Sequence, residues 1–545
     1  MSLLEIEKLC LSIHGKTILD RIDLSLNQGE VRALVGESGS GKSMTALAVM
    51  QLLPYGAMTT GNIRFDGRDL LHASEDEMCA LRGDDIGMVF QEPMTALNPV
   101  KTIGEQVAEG IRLHAKVGRA VAEERARHIL DRVGLPESRF PLTRYPHQLS
   151  GGQRQRVVIA MATALKPRLL IADEPTTALD VVLQAQILDL LRDLVHESRM
   201  GLLLISHDLA VVADMADQIT ILRAGTVVED GETVRVLSEQ LHPYTRQLAL
   251  ASTHVPEIRK PPASTIASAN CEKPLLSVTN VVREYPGARI GLFGRAPSTR
   301  AVNGVSFSMH ERQSIALVGR SGCGKSTLAR MILALDKPTS GTIEFEGVNL
   351  VGKSEQELRP LRRHMQVVFQ DPYGSFDPRQ TVARVVAEPL HLLDEKLTVQ
   401  ERRDRVAEAL SEVGLSGADL DKYPHEFSGG QRQRISIARA LITRPKLIVA
   451  DEPVSALDVS IRAQILDLLA FLNNRQGVAF LFITHDLSVA RAITDRILVM
   501  HEGRIVETGD TSSVLDQPTS DEAKDLVHAS PSLHRALKRR MQEQG

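Results

Sequence analysis

The chain has 545 residues, of which 43% are hydrophobic and 24% charged, a composition typical of a globular protein with a buried core. This length corresponds to several domains of about 150 residues each. A formal net charge of −4 excludes a strongly basic field, so we expect no nucleic acid as a partner. The sequence has no apolar run near the ~18 residues of a membrane span and no signal peptide at its start, which predicts a protein that is soluble or bound to a membrane through partners.

The first nucleotide motif lies at residues 36–43, which read G-E-S-G-S-G-K-S and match the phosphate-loop pattern G-x-x-x-x-G-K-[ST]. The apolar run Val31 to Val35 precedes it and the helical pattern Met44 to Leu53 follows, which is the strand–loop–helix context that this pattern needs. Lys42 is expected to reach the β- and γ-phosphates, and the Ser43 hydroxyl to ligate Mg²⁺. The residues expected to surround the phosphates are Gly36, Glu37, Ser38, Gly39, Ser40, Gly41, Lys42 and Ser43.

A near copy of this loop, G-R-S-G-C-G-K-S at residues 319–326, argues against a chance match. Lys42 and Lys325 are 283 positions apart (325 − 42), and the later motifs share a spacing of 278, as for His207 and His485 (485 − 207). The repeat predicts two homologous halves, with the extra residues of the second half in a surface loop around Arg289 to Arg300. The residues expected to bind the second nucleotide are Gly319, Arg320, Ser321, Gly322, Cys323, Gly324, Lys325 and Ser326.

The repeat divides the chain into a first nucleotide-binding domain (1–252), a linker (253–274), a second nucleotide-binding domain (275–517) and a charged tail (518–545). Pro, Ser and Ala dominate the linker, which predicts a partly extended segment. The basic stretch His534 to Met541 in the tail predicts a frayed helix whose charged face is solvated.

Short apolar runs alternate with amphipathic helical patterns in each half, which predicts an α/β fold with a parallel sheet. Leu169 to Ala172 and Leu447 to Ala450 are predicted strands, and Gln184 to Leu194 is a predicted helix. Val121 to Val133 and Val406 to Val413 also have a helical pattern. A helical insertion is therefore expected between the two groups of nucleotide motifs in each half.

Two carboxylates follow a predicted strand in each half: Asp173 and Glu174 in the first, Asp451 and Glu452 in the second. Because the carboxyl ends of parallel strands face the ligand crevice, Asp173 and Asp451 are expected to hold Mg²⁺ directly or through water. The adjacent Glu174 and Glu452 are the candidate catalytic residues that polarise the attacking water. An acidic pair alone is common at a helix start, and its combination with a phosphate loop is what indicates hydrolysis.

A histidine and a glutamine also end an apolar strand in each half. His207 and His485 are expected to hydrogen-bond the γ-phosphate and to orient the water beside the glutamate. Gln91 and Gln370 are expected to contact Mg²⁺ and the water. A single histidine or glutamine is usually structural, so the recurrence of both at a near-constant spacing carries this prediction.

A second anion-binding turn, Ser-Gly-Gly-Gln, opens a predicted helix in each half. Because each phosphate loop already accommodates a nucleotide within its own half, this second turn predicts that the halves face each other head to tail as an intramolecular dimer. Each turn would then complete the site around the nucleotide of the other half. The residues of the two turns are Ser150, Gly151, Gly152, Gln153, Ser428, Gly429, Gly430 and Gln431.

The ordered set of phosphate loop, glutamine, L/F-S-G-G-Q, D-E, A-L-D (178–180 and 456–458) and histidine resembles the ATP-binding cassette (ABC) ATPases, twice over nearly the whole chain. The resemblance implies two P-loop ATPase domains, each with an N-terminal antiparallel β part, a mainly parallel core and a helical subdomain. It also implies that ATP with Mg²⁺ closes the halves and that hydrolysis reopens them. The aromatic residue that stacks on adenine in this family corresponds to Tyr285, whereas Leu11 to Gly15 contain no aromatic residue except His14.

Residues 91–99 (Q-E-P-M-T-A-L-N-P), 370–378 (Q-D-P-Y-G-S-F-D-P) and 242–245 (H-P-Y-T) resemble the peptide/nickel/opine importer subfamily. The second half departs from this pattern, with Phe-Asp-Pro in place of Leu-Asn-Pro and Pro-Thr-Ser-Asp at 518–521 in place of His-Pro-Tyr-Thr. Some relatives carry a C-terminal cysteine cluster for an iron–sulfur centre. Because the cysteines here are dispersed, no iron–sulfur cluster is expected; they are Cys10, Cys79, Cys271 and Cys323.

The leading hypothesis is the ATP-hydrolysing subunit of an ABC importer, peripheral to the cytoplasmic face of a bacterial inner membrane. Its implied partners are two integral-membrane permease subunits, docked near residues 91–99 and 370–378, and through them a periplasmic or surface substrate-binding protein. The alternative is a soluble tandem ABC ATPase acting on the ribosome, but such proteins carry a long charged helical linker and this linker is short and contains proline. Peptide is the favoured substrate, while glutathione, nickel chelates, opines and antibiotic peptides remain open.

Overall fold

The computed structural model describes residues 2–177, 179–256, 273–287, 289–290, 294–295, 298–372, 374–455 and 457–544. Most of the predicted linker, residues 257–272, lies outside the described residues, as does part of the predicted surface loop. In the part of the chain that the structure describes, no helix is long and apolar enough to cross a membrane.

An antiparallel sheet opens each half, as the family resemblance implies. The strands in the first half are β1 (Ser2–Ile13), β2 (Lys16–Asn27), β4 (Ala57–Phe65) and β5 (Arg68–Asp69). The strands in the second half are β11 (Leu276–Tyr285), β14 (Thr299–Met309), β16 (Ser340–Phe345) and β17 (Val348–Asn349). The two sheets have equivalent orders, β2-β1-β4-β5 and β14-β11-β16-β17. In the predicted surface loop, β12 (Arg289–Ile290) and β13 (Gly294–Arg295) form a short antiparallel pair.

A six-stranded sheet forms the core of each half. Its strands in the first half are β3 (Val31–Val35), β6 (Ile86–Val89), β7 (Leu169–Asp173), β8 (Gly201–Ser206), β9 (Gln218–Arg223) and β10 (Thr226–Glu232). Its strands in the second half are β15 (Ser314–Val318), β18 (Met365–Val368), β19 (Leu447–Asp451), β20 (Ala479–Ile483), β21 (Arg496–His501) and β22 (Arg504–Asp510). The orders β10-β9-β3-β8-β7-β6 and β22-β21-β15-β20-β19-β18 are parallel except for the terminal hairpin, which confirms the predicted mainly parallel core.

Strand β7 shows why these runs are apolar throughout. All five of its residues are buried, because the sheet is covered on both faces. Leu170 and Ala172 join one apolar core, while Leu169 and Ile171 on the opposite face join another. Asp173 thus lies at the carboxyl end of a strand that is packed between two apolar layers.

Helices connect the strands and form the predicted insertion. Those of the first half are α1 (Lys42–Val49), α2 (Glu75–Leu81), α3 (Pro93–Ala96), α4 (Ile103–Ala115), α5 (Arg119–Arg132), α6 (Gly151–Thr163), α7 (Val181–Ser198), α8 (Leu209–Met215), α9 (Thr233–Glu239) and α10 (Pro243–Ser252). Those of the second half are α11 (Lys325–Ile332), α12 (Glu355–His364), α13 (Val382–Ala387), α14 (Val399–Glu412), α15 (Gly429–Leu441), α16 (Val459–Gln476), α17 (Leu487–Ile493), α18 (Thr511–Asp516), α19 (Asp521–Ala529) and α20 (Leu533–Gln544). The helical insertion is confirmed as α3 to α5 in the first half and α13 to α14 in the second.

The tail packs against the first half. Helix α19 contacts α7, and α20 contacts α8. Leu533 joins the apolar core of the first half, Arg539 pairs with Asp214, and Arg540 donates from Nη1 to the Ala216 carbonyl at 2.5 Å. The predicted helix is present, and His534, Arg535, Lys538 and Arg539 are exposed as expected. The predicted solvated face was incomplete, because Arg539 and Arg540 also bind partners more than 300 positions earlier, which leave no local signal.

Candidate nucleotide sites

The phosphate loop of each half (residues 36–43 and 319–326) joins the end of a buried central strand to the start of a helix. Only glycine fits just before each helix. A Cβ on Gly324, whose φ is 111°, would lie 2.1 Å from the Ala301 carbonyl oxygen, and one on Gly41, whose φ is 105°, would lie 2.4 Å from the Leu19 side chain. The turn therefore brings backbone N–H groups together at a helix N-terminus, an arrangement that favours phosphate.

The lysine of each loop is held by its own loop. Lys42 donates from Nζ to the carbonyl oxygens of Gly36 (2.7 Å) and Glu37 (2.9 Å), and Lys325 does the same with Gly319 (2.7 Å) and Arg320 (3.0 Å). Burial lowers the pKa of Lys42. These hydrogen bonds to the loop are made to neutral carbonyl oxygens, which an incoming phosphate can replace with charged acceptors.

The aspartate at the end of each strand β7 and β19 is suited to a cation. Oδ1 of Asp173 is buried and has no hydrogen-bond donor in the described residues, and burial raises the pKa of this carboxyl. Burial, with the neighbouring Glu452 charge, raises the pKa of Asp451 to about 6. The predicted ligands offer only hydroxyl, amide and carboxylate oxygens, the donors that Mg²⁺ prefers, so the residues fit this ion. They are Ser43, Gln91 and Asp173 in the first half and Ser326, Gln370 and Asp451 in the second.

The first catalytic candidate, Glu174, lies in a cluster with the other predicted residues of its half. Its Oε2 accepts from Gln91 Nε2 (3.0 Å) and Thr177 Oγ1 (2.9 Å), and its Oε1 lies 3.1 Å from Nδ1 of His207. Burial opposes ionisation, but the hydrogen bond and charge of His207, with Thr177 and Lys42, hold the pKa of Glu174 at about 2. The same pairing outweighs burial and raises the pKa of His207.

The second half reproduces this cluster. Gln370 Nε2 donates to Oε2 of Glu452 at 2.7 Å, and Nδ1 of His485 lies 2.8 Å from Oε1. Burial raises the pKa of Glu452, but His485 outweighs it and the pKa is lowered overall. Both glutamates have a φ of 47°, a strained backbone conformation for a side chain with a Cβ, as often found at functional positions.

The Ser-Gly-Gly-Gln turns begin α6 and α15 as capping boxes. Ser150 N–H donates to Gln153 Oε1 at 3.0 Å, and Ser428 N–H donates to Gln431 Oε1 at 3.0 Å. A Cβ on Gly430 would lie 2.3 Å from the side chain of Ile461 in α16, so this glycine keeps the starts of α15 and α16 together. The S-x-x-Q spacing itself indicates the capping box.

Two aspartates outside the predicted site join the halves. Oδ1 of Asp458, at the start of α16, accepts from the backbone N–H of Ser38 at 2.8 Å. Oδ2 of Asp180, at the start of α7, accepts from the N–H of Ser321 at 3.0 Å. Each phosphate loop is thus contacted by the opposite half. The signal available in the sequence was the recurrence of A-L-D at the common spacing of 278 (458 − 180).

Tyr285, the predicted adenine contact, ends strand β11. Its hydroxyl donates to Asp336 Oδ2 at 2.9 Å, and the guanidinium of Arg283 lies 4.6 Å from the ring centre. The side chain is 37% exposed. An adenine contact at this ring stays a prediction.

The fold and these clusters define a tandem P-loop ATPase. The chain belongs to the ABC transporter family, whose model matches residues 19–177 and 302–455. ATP-binding domains of this family hydrolyse ATP with Mg²⁺, and the chain carries two of them. The recognition, fold class and ATPase activity predicted from the motifs are confirmed.

Two relatives are similar over nearly their whole length. The peptidoglycan transport ATP-binding protein YejF of Agrobacterium fabrum is 44% identical over 537 residues, which cover 97% of this chain and 96% of the relative. The glutathione import ATP-binding protein GsiA of Pectobacterium atrosepticum is 45% identical over 537 residues, which cover 94% of this chain and 86% of the relative.

Proposed function

We propose that this protein is the ATP-hydrolysing subunit of an importer for peptides or peptide-like solutes, peripheral to the cytoplasmic face of a bacterial inner membrane. The observation that carries the proposal is the reciprocal contact of each phosphate loop with an aspartate of the other half. The two relatives are named for glutathione import and peptidoglycan transport, and both solutes contain peptide bonds or peptide chains. They favour the importer over the ribosomal alternative.

When ATP binds, its phosphates replace the backbone carbonyls as the hydrogen-bond partners of the loop lysine. Lys42 leaves the carbonyls of Gly36 and Glu37 and pairs with the β- and γ-phosphates, which compensate its buried charge. Ser43, Gln91 and Asp173 hold the Mg²⁺ that accompanies ATP. When bound, this ion neutralises charge on the phosphate oxygens. The second site uses Lys325 and the matching ligands in the same way.

Glu174 acts on the attacking water as an ionised acceptor. With a pKa of about 2 the carboxylate stays charged throughout the physiological range, so it orients and polarises water by accepting its hydrogen bond. The pKa of His207 is raised by its pairing with Glu174, and the imidazole is released to donate to the γ-phosphate when ATP enters. Glu452 and His485 have these roles in the second site.

Each Ser-Gly-Gly-Gln turn completes the site of the opposite half. Asp458, which contacts Ser38, begins the same helix α16 whose Ile461 packs against Gly430. Both contacts involve the start of α16, which supports the proposal that the turn at Ser428 to Gln431 faces the first phosphate loop and offers its N–H groups to the γ-phosphate there. The turn at Ser150 to Gln153 serves the second loop. Hydrolysis then requires closure of the halves.

Two permease subunits dock on equivalent grooves beside Gln91 and Gln370. In the second half, a cavity of about 850 Å³ is lined by Leu335, Phe369, Pro389 and Leu392 among others. Phe369 is 39% exposed and Leu335 57%, and their counterparts in the first half, Phe90 and Leu52, are each 41% exposed. Exposed apolar side chains recurring at equivalent positions suit a matched pair of partner segments. A substrate-binding protein outside the membrane then delivers the solute to the permeases.

Transport by reconstituted vesicles tests this function. Glu174→Gln together with Glu452→Gln should retain ATP binding and lose ATP hydrolysis and import. Vesicles that import solute at the unsubstituted rate with this double variant would overturn the proposal. Co-purification with ribosomes instead of two membrane subunits would favour the alternative. Mass spectrometry of the solute bound to the partner binding protein identifies the substrate.

A further inference from the structure

In each half, a side chain from a later helix contacts the second residue of the phosphate loop, and we call this contact the brace. The two braces use different side chains at equivalent positions. The structure aligns the N-cap of α10, His242, with the N-cap of α19, Ser520, so the correspondence of 242–245 with 518–521 drawn from the sequence was two positions off. Tyr244 in α10 therefore corresponds to Glu522 in α19, with the common spacing of 278 (522 − 244). In the first half, the hydroxyl of Tyr244 accepts from the backbone N–H of Glu37 at 3.2 Å, and the guanidinium of Arg223 lies 5.0 Å from its ring centre. Tyr244 is only 2% exposed, so this brace is neutral at the loop and buried.

The brace of the second half is ionic. Oε1 of Glu522 lies 2.8 Å from Arg320 Nε, in a geometry that makes an ion pair rather than a hydrogen bond. Its Oε2 lies 2.9 Å from Nδ1 of His501, the counterpart of Arg223 (501 − 223 = 278). The Glu522 side chain is 10% exposed, and Arg320 also donates from Nη2 to Asp525 at 2.6 Å. A carboxylate buried to this extent requires polar partners, and the guanidinium of Arg320 and the imidazole of His501 provide them.

Three positions therefore differ as a set: Glu37, Arg223 and Tyr244 in the first half are replaced by Arg320, His501 and Glu522 in the second. In both halves the braced residue is the second of the phosphate loop. Its carbonyl also accepts from the loop lysine, at 2.9 Å for Glu37 and 3.0 Å for Arg320. The brace thus acts on the segment that holds the phosphate-binding lysine in place.

We propose that Glu522 is a positioning residue of the second ATP site, as Tyr244 is of the first. This inference rests on the proposed function only in that both loops bind ATP. Holding Arg320 fixes the loop before ATP arrives, so less conformational freedom is lost on binding. The brace acts through the loop and touches no reacting atom. Its loss should therefore weaken ATP binding more than it slows the chemical step.

The test measures equilibrium binding of a fluorescent ATP analogue with Mg²⁺ in a Lys42→Ala background, which isolates the second site. Glu522→Ala should raise the Kd about 3- to 10-fold, the range expected for loss of a partly exposed ionic contact. In a Glu174→Gln background it should raise KM for ATP by a similar factor and change kcat less than about twofold. The matched control is Asp521→Ala, a neighbouring carboxylate that is fully exposed and pairs with Lys524.

Replacing the brace of the second half with that of the first half distinguishes a positioning role of Glu522 from a general loss of structure. In the single variant Glu522→Tyr, an uncharged ring replaces the carboxylate that pairs with Arg320 and His501. The second site of this variant should therefore bind ATP weakly. Because Arg320 also pairs with Asp525, whose counterpart in the first half is Gln247 (525 − 278), the first-half set is recreated by the quadruple variant Arg320→Glu, His501→Arg, Glu522→Tyr and Asp525→Gln. This variant should restore the Kd to within about twofold. Equal Kd values for Glu522→Ala and Asp521→Ala, or no recovery in the quadruple variant, would overturn the inference. An unsubstituted chain that binds no ATP would overturn the proposed function as well.

Discussion

Replacing Asp458 tests whether the contact between the halves belongs to the first ATP site. Its Oδ1 accepts from Ser38 N–H at 2.8 Å across the interface, and its side chain makes no capping bond to its own helix. Asp180 is different, because it also caps α7 by accepting from Leu183 N–H at 3.0 Å. Asp458→Ala therefore removes the contact between the halves without removing a helix cap.

The size of the effect follows from the chemistry of this bond. A hydrogen bond to a charged acceptor is worth about 1.5 to 3 kcal/mol, and every 1.36 kcal/mol is about tenfold in rate. We expect Asp458→Ala to lower kcat/KM of the first site about 10- to 150-fold. Asp458→Asn retains an acceptor oxygen, so a neutral bond of about 0.5 to 1.5 kcal/mol remains and the loss should be smaller.

Steady-state ATP hydrolysis in a Glu452→Gln background provides the assay, because only the first site then turns over while the second still binds ATP. Asp467→Ala is the matched control, since it removes a different long-range contact of α16, the 2.8 Å pair with His254 at the start of the linker. If Asp458→Ala and Asp467→Ala gave the same kcat/KM, the contact at Ser38 would have no part in the site and the reasoning would be refuted.

Burial raises the pKa of Asp451 from 3.8 to about 6, so without Mg²⁺ its carboxylate destabilises the fold increasingly as pH rises through this interval. In EDTA, Asp451→Asn should raise the free energy of unfolding by on the order of 2 to 3 kcal/mol at about pH 7.5 and by little at about pH 4; denaturant titrations giving equal effects at both would contradict this. Gly324→Ala places a Cβ 2.1 Å from the Ala301 carbonyl oxygen and should abolish ATP binding at the second site, so binding within about twofold of the unsubstituted site would exclude this steric argument. Leu533→Ala should destabilise the first half by about 2 to 5 kcal/mol, and an unchanged thermal unfolding curve would mean that α20 does not pack there.

Local motifs made the centre of each site predictable. A phosphate loop is defined by glycines at fixed spacing between a strand and a helix, so Lys42 and Lys325 are identified without knowledge of the rest of the chain. The strand that ends at Asp173 is equally visible, because both faces of a buried parallel strand are apolar. The constant spacing of the repeat then placed Glu174 and His207 in one half, and the structure brings them within 3.1 Å.

Contacts between distant segments were not predictable in this way. Tyr244 was recognised only as part of a subfamily motif, and nothing in its sequence neighbourhood shows that it reaches Glu37, 207 positions earlier. Glu522 lies in a tail that resembles a solvated charged segment, because its partners Arg320 and His501 are far away in sequence. A systematic comparison of the halves at the common spacing would have paired Tyr244 with Glu522, although it would not have shown what either contacts.

These distant contacts close a ring around each phosphate loop. Tyr244 in α10 contacts the first loop, α10 packs on α16 of the other half, and Asp458 at the start of α16 returns to the same loop. In the second ring, Glu522 in α19 contacts the second loop, α19 packs on α7, and Asp180 at the start of α7 returns to that loop.

Each ring also reaches the opposite catalytic site, because Asp180 follows Glu174 by six positions (180 − 174) in the same strand-to-helix segment. A rearrangement of the second loop on binding ATP must therefore move either Asp180 or α19, and both are attached to α7 beside the first catalytic glutamate. Coupling between the sites then requires no separate transmitting element, because one contact on each loop comes from the opposite half and the other comes from a helix, α10 or α19, that packs on the opposite half. A change in the shape of either loop therefore acts on the half that carries the other catalytic glutamate.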